Sequence, residues 1–175
     1  MGPPMAAAMR NETSDTGDRA DHRRRRSAAR LRAVQALYQR FMAGTPVDAL
    51  VAEFHAHRLN EEGDGAGGAI AGAEVAFFDD LVRGVSARQD ELDRLVAGYL
   101  APGWTLGRLD PLLLQLLRAG TYELIARPDV PLASVITAYV DVAHAFFPRQ
   151  ETGFVNALLD RLGHAVRGGT QRGAA

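Results

Sequence analysis

The 175 residues suit one domain, a length at which a real core can be buried, and the 47% hydrophobic and 23% charged composition argues against wholesale disorder or a fibrous repeat. The absence of cysteine excludes disulfides, thiolate metal sites and cysteine nucleophiles. The formal charge is −1 and every one of the 20 cations is arginine, but the charges are segregated: between His22 and Val47 lie Arg23, Arg24, Arg25, Arg26, Arg30, Arg32 and Arg40 without one acid. Charge location sets the local potential, so one end of the molecule is expected to attract a polyanion while the acidic remainder suits a basic partner. No apolar run approaches the ~20 residues that span a bilayer, and the reading is of a cytoplasmic protein without a membrane segment.

Residues 1–22 lack periodicity and mix small, polar and charged types, so they read as a flexible tail before a domain at 23–167. A first helix is expected from about Ser27 to Ala43, where Leu31, Val34, Leu37, Tyr38 and Phe41 recur at the spacing of one helical face. Gly44 stops it, and Thr45-Pro46 reads as a cap followed by proline at the first helical position, opening a second helix to about Leu59. The five glycines of 61–73 predict a loop. Helix resumes near Glu74 with Phe77, Phe78, Leu81, Val82 and Val85 inward, a bend near Gly84, and a second face of Leu92, Leu95, Val96, Tyr99 and Leu100 that ends at the turn APGW, 101–104. Asp110-Pro111 repeats the cap-plus-proline signal, and the leucines from 109 to 117 surround the following helix on nearly all sides, predicting a central buried element. Turns at 126–131 and Pro148 separate a helix opened by Pro131 from a last one at about Glu151 to Val166, and 168–175 read as a fraying tail. Nothing alternates like a strand, so the class is all-α, with about seven helices.

Arginine binds phosphate through a planar, permanently charged fork, and RRRRSAARLR abuts the start of a helix, so Arg23, Arg24, Arg25, Arg26, Arg30 and Arg32 are candidate phosphate contacts. A charge run is more often a solvated face, which is the competing reading. Tyr38 and Phe154 offer rings for stacking on unpaired bases, with Gln35 and Asn156 as amide edges, although aromatics at helical spacing more often pack in a core. Glu53 and His57 are i, i+4 neighbours beside His55, but no further ligand accompanies them and the sequence implies neither metal nor cofactor.

Three ordered segments, SAARLRAVQALYQ, LLRAGTYELIARPDVPLASVITAYVDVAHAF and ETGFVNALLDRL, resemble the bacterial antitermination factor NusB over roughly residues 23–165. The resemblance implies two small helical bundles packed together and a binding module without catalytic activity. It also implies partners: single-stranded boxA RNA of ribosomal RNA leaders, the ribosomal protein NusE, and RNA polymerase with other Nus factors. The implied RNA site centres on Arg26 and Arg30, supported by the upstream arginines and by Tyr38, Phe154 and Asn156. In many members an acid stands five residues before the arginine of the Leu-Arg pair; here that position is Leu113, with Asp110 as its substitute in the expected partner surface. Ser27-Ala28, Gly153 and Ala157 depart from the family pattern around the RNA site. An apolar helix face of this kind can await NusE or close a homodimer. A scaffold with incidental RNA affinity is the alternative, and the catalytic part of methyltransferases that carry a NusB-like domain has no counterpart in the sequence.

Overall fold

A computed structural model of the chain describes residues 6–57 and 72–172, with side chains described from 15–56 and 74–169. Seven α-helices occupy the described residues: α1 Ala6–Ala43, α2 Val47–His57, α3 Gly72–Ala87, α4 Gln89–Ala97, α5 Pro111–Ala126, α6 Leu132–His144 and α7 Arg149–Arg172, with one short 3₁₀ turn at Leu106–Arg108. The helical class expected from periodicity holds, and no described helix is long and apolar enough to cross a membrane.

Helix α1 packs with α2 and α3, and α4 to α7 form the second group; α5 lies between them, touching α1, α3, α4, α6 and α7. This is the buried central helix that its leucines predict. Every residue from Leu113 to Leu124 is buried, including Gln115, Arg118, Thr121 and Glu123. The cap signal also holds: the Asp110 carboxylate accepts from the Leu112 and Leu113 amides at 2.8 and 3.3 Å, with Pro111 at the first helical position. Polar side chains of α5 then tie it to its neighbours. Arg118 donates both arms to Asp93 of α4, and Tyr122 and Arg127 converge on Asp80 of α3 at 2.8 Å each.

The boundaries differ from the sequence reading in ways with local causes. Helix α1 begins at Ala6, not near Ser27. Asp15 pairs with Arg19 and Asp21 with Arg25, each acid four residues before its base, the orientation worth a few tenths of a kcal/mol on an exposed helix. His22 and Arg26 then meet the buried Glu74 of α3 at 3.0 and 3.8 Å, anchoring that stretch of α1 to the body. No bend occurs at Gly84, because α3 runs through it. A Cβ there would overlap the Tyr122 ring, so the glycine serves close approach of α3 to α5. The break falls instead at Arg88, whose guanidinium folds onto Glu91 at 2.7 Å. Helix α7 continues past Val166, where Arg167 donates to the carbonyls of Leu124, Arg127 and Val130 and so satisfies the end of α5 and the turn after it. Of the expected glycine loop, residues 61–71 lie outside the described residues, while Gly72 and Ala73 already belong to α3.

Candidate nucleic-acid interface

The arginine run is helical throughout, and the helix sorts its members by angle. Arg23, Arg24 and Arg25 are exposed, the last two sharing Asp21 at 3.7 and 2.6 Å. Arg26 is half-buried, its guanidinium 4.7 Å from the Phe77 ring centroid. Arg32 is also half-buried and donates to the Gln35 amide at 3.4 Å. Tyr38 is half-buried on the same helix, and Asn156 is exposed on α7.

Arg30 is placed differently from the other arginines of the run. It is only 7% exposed and grips Glu123, itself 0% exposed, through two hydrogen bonds of 2.6 and 3.0 Å. Its guanidinium also stacks over Phe77 at 5.2 Å and lies 5.9 Å from the centre of the buried Tyr139 ring. Burial alone would lower the Arg30 pKa, but the Glu123 hydrogen bonds and charge outweigh it and hold the pKa above its ordinary value. Burial and then the Glu123 charge push the Tyr139 phenol well up. So engaged, the guanidinium fastens α1 to α5.

The candidate residues do not all lie together. Arg26 and Arg30 sit at the C-terminal end of α5, against Phe77, Glu123 and, through the same Phe77 ring, Arg127. Phe154 lies at the other end, in a groove with Asp110 and Leu113. The ten residue steps from Leu113 to Glu123 put roughly 15 Å of helix between the two places. Any one ligand touching both places must run along the molecule. Phe154 packs against the core and also lines this groove. Leu113 is buried at 5% exposure and Asp110 is occupied as a cap, although both still line that groove. The metal reading gains no support: Glu53 accepts from the Gln39 amide at 3.1 Å, His55 meets Asp79 at 2.7 Å, and no group of metal-binding side chains occurs among the described residues.

The sequence reading passed over Trp104, which is 54% exposed, and the exposure of Phe41 and Met42, at 48% and 60%. A signal for the first existed, since an aromatic inside APGW sits in a turn and cannot share a helix's apolar stripe. The groove beside it has a volume of about 400 Å³. A separate hollow at the end of α1 brings Phe41 together with Leu106, Leu109 and Leu114. Chemically, the molecule thus presents exposed guanidinium forks on α1 and exposed aromatic and apolar surface around the start of α5.

The NusB family model matches residues 27–164. The chain belongs to the NusB family. Among curated relatives, the transcription antitermination protein NusB of Novosphingobium aromaticivorans is 58% identical over 142 residues, covering 81% of this chain and 95% of that protein. The NusB of Sphingopyxis alaskensis is 56% identical, covering 81% and 94%. The fold agrees with that of T. maritima NusB at a TM-score of 0.66 and 27% identity, over 79% of this chain and 89% of that one. A chain from the complex of the antitermination factors NusB and NusE with double-stranded RNA superposes at a TM-score of 0.67 and 20% identity, over 81% of this chain and 98% of that one. That last likeness concerns the NusB fold alone.

Proposed function

We propose that this NusB family member is a non-catalytic transcription antitermination factor that binds single-stranded boxA RNA together with NusE and acts with RNA polymerase and other Nus factors, in the cytoplasm, to promote ribosomal RNA transcription. The observation that carries the RNA part is the exposed triplet Arg23, Arg24 and Arg25 on one helix, next to the half-buried Arg26. Such forks hold phosphates and set register along a strand, while base identity is read elsewhere. Gln35, Tyr38 and Arg32 extend the same helix as further contacts, and Phe154 with Asn156 supplies a ring and an amide on α7. The exposed apolar surface of Phe41 and Met42, with the hollow where Phe41 meets Leu106, Leu109 and Leu114, is with Asp110 and Leu113 the place we assign to NusE; the same surface would serve a homodimer.

Anisotropy titration of labelled boxA RNA and a scrambled control, with and without NusE and at two salt concentrations, tests the reading. If about four phosphates are engaged, log affinity falls with log salt at a slope of roughly −3. Preference for boxA that NusE tightens supports antitermination. Equal, weak binding of both RNAs that NusE leaves unchanged overturns it and moves the search to protein partners of a scaffold.

A further inference from the structure

We propose that the groove between the 101–109 turn and the start of α7 is a pocket for one unpaired nucleobase bearing an exocyclic amino group, with Trp104 as its stacking platform. The inference rests on the RNA reading above and extends it to residues that reading does not use. Trp104 is held out of the core by the turn itself. Gly103 adopts φ +84°, the Trp104 amide donates to the Ala101 carbonyl at 3.0 Å, and Arg108 donates to the Gly103 carbonyl at 3.1 Å. The same Arg108 guanidinium lies 5.6 Å from the centre of the indole ring. A half-exposed indole fixed in this way spends little entropy when a flat ligand stacks on it.

The occupant follows from the lining. Phe154 of α7 forms part of the other wall, and the hydrogen-bonding groups are the Gln150 amide and the carboxylates of Asp110 and Glu151. Glu151 Oε2 is buried and accepts no hydrogen bond from any described residue. Ionised carboxylates and an amide oxygen are acceptors, so an exocyclic amino group entering the groove finds partners in this lining that an aliphatic side chain would leave unused. Two carboxylates against one arginine make the interior unsuitable for phosphate, so the base enters and the backbone stays outside. Elsewhere on α7 the exposed Arg161 lies 5.5 Å from the centre of the ring of Tyr99, the residue before the groove-lining Leu100. Aromatic faces interleaved with arginine are the recurrent chemistry of single-strand recognition. Adenine, cytosine and guanine carry the amino group that the acceptors need; uracil does not.

Trp104 is the chain's one tryptophan, so its fluorescence reports on this groove alone. Short oligoadenylate, oligocytidylate and oligouridylate, and an abasic ribose-phosphate oligomer, would be titrated while anisotropy of labelled boxA RNA follows overall binding. The expected result is saturable quenching by the adenine and cytosine oligomers, weaker quenching by uracil and none by the abasic chain. Trp104→Ala should weaken labelled RNA about 5- to 150-fold, Trp104→Phe should restore part of the loss, and Glu151→Gln should narrow the preference for amino-bearing bases. RNA binding without quenching, and unaltered by Trp104→Ala, would overturn the pocket while leaving the RNA reading intact. Absence of all RNA binding would overturn both. Quenching by NusE but by no oligomer would make the groove a protein-docking face and equally overturn the proposal.

Discussion

Breaking the buried pair between Arg30 and Glu123 should cost far more than breaking any ion pair on the surface of α1. The Arg30 and Glu123 side chains are 8% and 0% exposed, against 74% and 55% for Arg19 and Asp15. Removing either buried partner leaves the other charge desolvated and uncompensated, a loss of about 3–5 kcal/mol. For a chain of this length each kcal/mol lowers Tm by roughly 2–4 °C, so Arg30→Ala or Glu123→Ala should lower it by about 6–20 °C. The pair itself carries a desolvation cost, which predicts that Arg30→Met with Glu123→Leu recovers to within about 2 kcal/mol of the parent. Urea and thermal unfolding followed by circular dichroism at 222 nm, arranged as a double-mutant cycle, measure both quantities. Single variants that each cost less than about 1 kcal/mol, or a double variant as unstable as the two losses added, would refute the reasoning. The recovered double variant also separates packing from recognition. It should bind RNA within about twofold of the parent, because the guanidinium it lacks faces Glu123; a large loss of affinity would return Arg30 to the RNA site.

Other perturbations test neighbouring parts of the argument. Replacing Arg23, Arg24 and Arg25 together by alanine should leave Tm nearly unchanged but make the salt slope of RNA binding shallower by about 2, as expected for three phosphates lost from a single strand, and an unaltered slope would remove them from the interface. Burial, then the Asp80 hydrogen bond, push the Tyr122 phenol up to about 12 from an ordinary 10.0. The folded state therefore holds that proton more tightly: the contribution is intact below pH 10 and is lost as pH rises from 10 towards 12, by at most about 2–3 kcal/mol. Tyr122→Phe should flatten part of this fall in a Tm-against-pH series. Gly84→Ala should destabilise by about 1–3 kcal/mol in urea, despite alanine's better helix propensity, because the methyl group displaces the Tyr122 ring; a neutral or stabilised variant would show that α3 and α5 are less closely apposed.

Periodicity, proline caps and glycine stops are encoded within a few neighbouring residues, and the number of helices, the Asp110 cap, the Gly44 stop and the burial of α5 were all readable from them. Gly44 ends α1 at φ +68°, its amide donating to the Arg40 carbonyl at 2.8 Å, an event wholly contained in five residues. The division of labour within the arginine run was not local. Helical spacing puts Arg30 at the border of the apolar stripe and Arg23 to Arg25 in the lead-in to it, but the partner that engages Arg30, Glu123, is 93 residues away. Nothing in either segment specifies that meeting; it arises from the packing of α1 against α5. The same distance effect separates Phe154 from Arg26, which α5 sets at opposite ends of its length. It also turned Trp104 from one more hydrophobic residue into an exposed face, because a turn held by Gly103 and Arg108 directs it away from the core that its composition would suggest. Local chemistry decided which elements form, and the packing of distant elements decided which of their side chains meet each other and which are left for a ligand.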